Sequence, residues 1–306
     1  MFNRAPIEVS EILIAGTARN VERFIKSDID SLRSSFSDFK KVHFLIVESD
    51  STDATLTKLT QLKSENIAFD FITLGNLSNT HPKRTERIAF CRNKVIDALL
   101  TNPQYSNINY VAVADLDSVN AKLTREGVRS CWDIELDWGG VTANQTDEYY
   151  DIWALRHPHW NPMDCWEQKR QLENILGDVA AHDIAIGSKQ SPIDPSADLI
   201  EVDSAFGGLG IYTHEAFLAG RYAGTDNQAG GIDVADHIPF HRDLRKKGFR
   251  IFINPALINC NKVPGGEVEE VLSPKPKGSL KFVQKFGSFL FGKKRFNKYL
   301  KILQIP

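Results

Sequence analysis

Only four cysteines occur in the 306 residues, Cys91, Cys131, Cys165 and Cys260, and no two of them form a C-x-x-C pair. That spacing suggests neither a zinc site nor a disulfide framework, and it suits reduced, buried thiols in a cytoplasmic protein. The first residues, Met-Phe-Asn-Arg-Ala-Pro-Ile-Glu-Val-Ser-Glu, carry acids where a secretory signal would have its apolar core. No apolar run approaches the length needed to span a bilayer. Internal repeats are lacking, and so is any linker before about Gly265. Acids are missing from one region altogether: Ser273 to Pro306 holds nine of the 37 Lys and Arg and none of the 39 Asp and Glu. The remainder is therefore acidic overall, which argues against nucleic acid as a partner of the main body.

What is present is an ordinary globular composition, 42% hydrophobic and 25% charged, enough for a sizeable core. Strand and helix patterns alternate through the first half. Short apolar strands are expected at Ile12–Ala15, Val42–Val47, Ala68–Leu74 and Tyr110–Ala114. Helical periodicity is expected over Val21–Phe36, from Ser51–Asp53 to about Leu62, and over Arg84–Leu100. This order implies an α/β protein with a Rossmann-like, mostly parallel central sheet flanked by helices. The second half is less regular. Strands are expected at Trp138–Ala143, Leu199–Val202, Leu209–Tyr212 and Arg250–Ile253, with helices over Cys165–Ile175 and Pro239–Lys247.

The strand at Tyr110–Ala114 runs straight into Asp115-Leu116-Asp117. A continuous apolar run suits a strand buried on both faces, and open α/β sheets bind ligands at the rim where such strands end. Residues two apart on extended backbone point the same way. Asp115 and Asp117 can thus present two carboxylates to one hard cation, Mg²⁺ or Mn²⁺, whose other ligands would be water and substrate phosphates. The spelling alone is not specific. Asp28-x-Asp30 repeats it within an amphipathic helical stretch, where a solvated face is expected, and residues 133–137 also alternate acid with apolar.

Four features in order resemble the nucleotide-sugar glycosyltransferases of the A-type (GT-A) fold. They are Gly16-Thr-Ala-Arg-Asn20 after the first strand, Glu48-Ser-Asp-Ser-Thr-Asp53 after the second, a helix bearing Arg84, Arg87, Arg92 and Asn93, and Asp115-x-Asp117 after the fourth. Within that fold the chain is most similar to the fungal capsule α-1,3-mannosyltransferase-like family. The likeness there lies in E-x-x-S-T-D, R-I-x-x-x-R-N, Asp147–Arg156, Ser204–Gly208 and His237-Ile-Pro-Phe-His241, and covers roughly residues 10–262.

The resemblance implies a metal-dependent hexosyltransferase taking a UDP- or GDP-linked sugar to a glycan or lipid-linked acceptor, as in polysaccharide biosynthesis, with residues 1–265 as catalytic domain and an acceptor side in the irregular half. Asp117 is then the direct metal ligand, and Asp115 binds metal, its water or the ribose. A C-terminal histidine, His241 or His237, completes the metal site. Thr17 and Arg19 face the nucleotide. Glu48 and Asp53 contact base or ribose, Asp53 being equally a helix cap. Arg87 and Arg92 grip phosphate through fork geometry. Tyr150, Trp153 and Arg156 contact the acceptor or donor sugar, and Gly207-Gly208 let backbone approach a sugar or make a tight turn. The acid-acid pair of many inverting relatives is absent; Asp236-His237 stands near that place, so Asp236 is the expected base, with Asp151 in reserve.

Two other classes compete. Asp115-Leu-Asp117-Ser-Val119 also fits the motif of haloacid-dehalogenase-type phosphatases, with Asp115 as nucleophile, although three strand-helix units precede it and no later Gly-Asp-x-x-x-Asp follows. A catalytically inactive sugar-binding protein is the other. Finally, Ser273–Pro306 interleaves its nine cations with Phe282, Phe286, Phe289, Phe291 and Phe296. That pattern suits either an in-plane helix on anionic lipid, making the protein peripheral at the inner face of a membrane, or a helix packed on the catalytic domain.

Overall fold

The computed structural model describes residues 4–226 and 231–261. The basic segment expected to bind lipid or pack on the domain lies outside the described residues, as does the boundary near Gly265. Among the described residues, no helix is long and apolar enough to cross a membrane.

The first half alternates as expected. Strands β1 (Glu11–Ala18), β2 (Lys41–Glu48), β3 (Phe69–Thr73) and β4 (Ile108–Ala114) are joined by helices α1 (Ile25–Ser35), α2 (Thr55–Glu65) and α3 (Arg84–Thr101). All four strands are parallel, in the order β3-β2-β1-β4. The sheet continues through the second half with β5 (Gly140–Gln145), β6 (Ile200–Val202), β7 (Leu209–Thr213) and β10 (Ile251–Cys260), giving eight strands ordered β3-β2-β1-β4-β7-β5-β10-β6. β7 and β6 run antiparallel to their neighbours and the other six strands share one direction. A separate ribbon pairs β8 (Thr225–Asp226) with β9 (Ile232–Asp233).

Both faces of the sheet are covered. Leu13, Ala15, Val111 and Val113 point into one core, shared with Ala89, Val95 and Ile96 of α3. Their alternate neighbours Ile12, Ile14, Tyr110, Ala112 and Ala114 point into the other, shared with Ile25, Ile29 and Leu32 of α1 and Leu59 of α2. This two-sided burial is why β1 and β4 read as unbroken apolar runs rather than alternating ones.

The second half holds short helices that periodicity cannot reveal: α4 (Arg125–Arg129), α6 (Asp178–Ala185) and α7 (His214–Ala219). The expected helices appear as α5 (Cys165–Leu176) and α8 (His237–Lys246). β10 is longer than expected because it passes through Asn254-Pro255, where its register with β5 shifts between Ile253 and Ile258. Proline supplies no ladder donor, so the sequence pattern stops where the strand does not.

Candidate active site

The order β2-β1-β4 makes the carboxyl ends of β1 and β4 a topological switch point, the place where open α/β sheets form a crevice. A cleft of about 400 Å³ opens there. β1 contributes Thr17 and Ala18, followed by Arg19; Ser49 follows β2; Arg84, Arg87, Cys91 and Arg92 come from α3. Asp115 and Asp117 follow β4, and Asp151, Trp153, Phe206, Asp236 and His237 close the far side. Another cleft, about 360 Å³, lies at the opposite end of the sheet. There Arg4 donates to the carbonyls of Ile134 and Leu136, and Arg250 pairs with Glu201, so both arginines are spent.

The acidic turn has the expected alternation. Leu116 is buried while Asp117 is exposed to the cleft and the Asp115 side chain is 35% exposed. Asp117 accepts one long hydrogen bond, from the Val119 amide at 3.3 Å. Ser118, next in line, has φ +71°. The turn is held from beneath by amides that no spacing in the sequence announced. Asn120 Nδ2 donates to the Asp115 and Gly208 carbonyls, Asn259 Nδ2 to Asn120 Oδ1 and the Gly207 carbonyl, and Gln145 Nε2 to Gly207 and Asn259 Oδ1. The Asp115 amide itself donates to the Gly208 carbonyl at 3.0 Å. Gly207 and Gly208, expected to approach a sugar or make a tight turn, form a turn packed closely on the protein. At φ +66° and +85°, Cβ atoms there would stand 2.8 Å from Gln145 Nε2 and 2.7 Å from Val119 Cγ1.

Arg92 is the hub of the cleft wall. Its Nη1 lies 2.8 Å from both oxygens of Asp236, and its Nη2 lies 3.1 Å from Asp115 Oδ1. The guanidinium lies over the Phe206 and Tyr222 rings, 4.8 and 5.7 Å from their centroids. Burial works against its charge, but Asp236 and Asp115 outweigh burial and raise its pKa. Burial likewise pushes the Asp115 carboxyl up to about 7, Arg92 opposing and Asp117, Asp151 and Asp236 adding to the rise. Burial also raises Asp236 against the pull of Arg92. Two expectations change here. Arg92 is neutralised by protein carboxylates rather than open to phosphate, and Asp236 is a charge partner, not a free base. Asp151 is less engaged: its oxygens accept from the Gly207 and Ala154 amides at 3.0 and 3.3 Å, and burial raises its pKa.

The two histidines separate. His241 is fully buried, with Nδ1 2.9 Å from Ser204 Oγ and Nε2 2.9 Å from the Tyr212 hydroxyl. Both nitrogens are engaged within the core, and His241 does not line the cleft, so this arrangement does not offer it as a metal ligand. His237 does line the cleft; its ring stacks on Phe206 at 3.8 Å, and neither nitrogen has a partner among the described residues. Burial, then Arg92, holds the His241 imidazole down to about 3. The unfolded chain therefore takes up a proton that the folded chain refuses. Stability is expected to be level above about pH 6.5, the ordinary histidine value, and to fall as pH drops from there towards 3. His241→Asn should lose about 1–3 kcal/mol for each partner left unpaired at pH 7, and should show a shallower acid loss than wild type. Urea midpoints at pH 7, 5 and 4 check both.

Other expected residues serve the scaffold. Glu48 is buried, accepting from the Ser51 amide and the Thr73 hydroxyl. Asp53 accepts from the Thr55 and Glu22 amides, so it ties the loop after β1 to the start of α2. Arg156 donates to Asp164 and to the Trp153 and Leu155 carbonyls. Trp153 spends its indole N–H on Asp164 but keeps a place in the cleft wall, whereas Tyr150 is set behind it, its hydroxyl facing Gly208. Arg87 donates to the His81 and Pro82 carbonyls and stands 3.8 Å from Asp50, while still lining the cleft. The arginine that reaches the cleft most openly from α3 is Arg84, which is exposed. Its motif was visible in the sequence, but only the fold shows that it sits at the cleft mouth. Asp28, read as a solvated face residue, is 3% exposed, whereas Asp30 is exposed and paired with Lys26.

Among the described residues, no three His, Cys, Asp or Glu side chains converge closely enough to hold a metal ion alone. The donors present are nonetheless those of a hard cation that keeps waters and substrate oxygens: Asp117 free on the cleft, Asp115 beside it, and the unpartnered imidazole of His237.

No protein-family model and no curated protein matches the chain. Its structure is similar to a mannosyltransferase from Pyrobaculum calidifontis in complex with GDP-Man and Mn²⁺, at 13% identity and TM-score 0.44, covering 97% of this chain and 68% of that one. It is similar to TarS of S. aureus in complex with UDP-GlcNAc, at 10% identity and TM-score 0.46, covering 92% and 66%. Glucosyl-3-phosphoglycerate synthase from Mycobacterium tuberculosis in complex with UDP is 12% identical with TM-score 0.41, covering 97% and 81%. The chain thus spans about two thirds of the first two. At such values no residue role or ligand carries over from them.

Proposed function

We propose that the chain is a GT-A-type glycosyltransferase, residues 1–265 forming the catalytic domain, that moves a hexose from a UDP- or GDP-linked donor to a hydroxyl of a glycan or lipid-linked acceptor. The observation that carries this reading is a cleft at the β1/β4 switch point lined both by an exposed carboxylate, Asp117, and by the exposed arginines Arg19 and Arg84. A nucleotide diphosphate with a divalent cation brings charges of both signs, and this cleft meets both. The ordered likeness of the loops after β1, β2 and β4 to GT-A enzymes supports the same reading.

Asp117 and Asp115 would hold Mn²⁺ or Mg²⁺ together with water and donor oxygens, with His237 lining the same cleft; when bound, such an ion neutralises the charge developing on the leaving diphosphate. Arg19 and Arg84 grip phosphate oxygens, and Thr17 lies against the nucleotide. Trp153, in the cleft wall, contacts a sugar. The acceptor oxygen bonds to the anomeric carbon as the bond from that carbon to the diphosphate oxygen breaks, and the hydroxyl proton passes to a base. Asp151 takes that role in preference to Asp236, whose oxygens both face Arg92. The phosphatase alternative needs Asp115 as a free nucleophile, and Arg92 holds one of its oxygens.

Calorimetry of the full chain against UDP- and GDP-sugars, with and without Mn²⁺, tests the proposal. Binding of at least one donor that needs Mn²⁺ is expected; no metal-dependent binding across the panel would overturn it.

A further inference from the structure

α1 buries a stripe at helical spacing: Ile25, Asp28, Ile29, Leu32 and Ser35. Three of these are aliphatic, as a core-facing stripe requires, and Asp28 is the one ionisable member. Position 28 holds a carboxylate, 3% exposed, whose neighbouring charge is that of Asp117, of the same sign. A buried charge of this kind is costly unless its hydrogen bonds repay it. What it gains is one long-range contact: Asp28 Oδ2 accepts the Ser118 amide at 3.0 Å, ninety residues away in sequence.

Ser118 immediately follows Asp117, and its φ of +71° lies in a region that residues with a side chain rarely visit. The Ser118 amide lies in the peptide plane that joins it to Asp117, so a partner for that amide fixes the plane from which the Asp117 side chain departs. The Val119 amide, the next along, donates to Asp117 itself at 3.3 Å. The two amides after Asp117 are therefore each fixed by a carboxylate, one from the turn and one from the helix below it.

We infer that Asp28 is a positioning residue for the acidic turn: by accepting the Ser118 amide it fixes the peptide plane that follows Asp117 and so aims Asp117 into the cleft. The inference rests on the proposed cation role of Asp117. Residues one step behind a metal ligand commonly change affinity 10- to 100-fold when removed, and Asp28 acts through backbone rather than through a ligand's side chain.

The test titrates Mn²⁺ into the full chain in the presence of UDP and, in parallel, GDP, with free Mn²⁺ read by electron paramagnetic resonance. Circular dichroism and a thermal melt confirm that each variant is folded. Asp28→Ala is expected to weaken Mn²⁺ binding about 10-fold or more. Asp28→Asn, which keeps an oxygen for the Ser118 amide, should stay within about 3-fold of wild type, since it preserves the contact and loses only charge. If Asp28→Ala does not fold, Asp28→Glu replaces it, its oxygen displaced by one methylene, with the same weakening expected. Wild-type affinity in a folded Asp28→Ala or Asp28→Glu protein would overturn the inference alone. Equal weakening in Asp28→Asn and Asp28→Ala would overturn it too, by assigning the effect to charge. Absence of Mn²⁺ binding to wild type with either nucleotide would overturn the cation reading, and the inference with it.

Discussion

Asp117→Ala is expected to cut sugar transfer by roughly 100- to 1,000-fold, the loss typical when one preorganised electrostatic group is removed from a site, while leaving the protein folded. Asp117 is exposed on the cleft and accepts a single long hydrogen bond. Removing it creates no core cavity and frees only the part-buried Val119 amide from one long hydrogen bond, so the stability loss should stay within about 1 kcal/mol. Donor binding in the presence of Mn²⁺ should weaken with activity, and binding in its absence should not change. The measurement is turnover with a saturating donor at several Mn²⁺ concentrations, beside a thermal melt. Full activity in a folded Asp117→Ala protein would remove the cation role from this residue.

Arg92→Ala should do the opposite, damaging the fold first. Arg92 is buried, meets both oxygens of Asp236 and one of Asp115, and lies over the Phe206 and Tyr222 rings. Its loss leaves Asp236 buried without a counter-charge, which costs about 3–5 kcal/mol in comparable buried pairs. At about 2–4 °C per kcal/mol for a domain of this size, the melting temperature should fall by roughly 6–20 °C. Replacing both partners, Arg92→Met with Asp236→Leu, should recover most of that fall, since an apolar pair of similar volume is often as stable as the ion pair it replaces. A melting temperature for Arg92→Ala within 2 °C of wild type would mean that water already solvates this wall of the cleft.

These two residues also show how much the sequence discloses. Asp117 was legible because a strand buried on both faces has a composition of its own, and its end has a fixed place in an α/β sheet. The order of the first four strands and three helices followed for the same reason. Arg92 was visible as part of a motif, yet its partners stand 23 and 144 residues away, and nothing local distinguishes an arginine neutralised by the protein from one left open to phosphate. Asp28 was misread because an acid in an amphipathic stripe normally faces water; only the approach of Ser118 accounts for its burial. The Asn120–Asn259–Gln145 network had no periodic or motif signature at all, being made by three segments that meet only in the sheet. His237 and His241 share one helix and similar surroundings in sequence. Their roles divide only when Ser204 and Tyr212 are seen on both sides of His241.

The most direct measurement is release of nucleoside diphosphate from UDP- and GDP-hexoses by the full chain, followed by anion-exchange chromatography with Mn²⁺ present, with and without hydroxyl acceptors. Release from at least one donor is expected, abolished by a chelator, restored by added Mn²⁺ and lost in Asp117→Ala. No release from any donor, or release that survives both chelation and Asp117→Ala, would contradict the proposed metal-dependent glycosyl transfer.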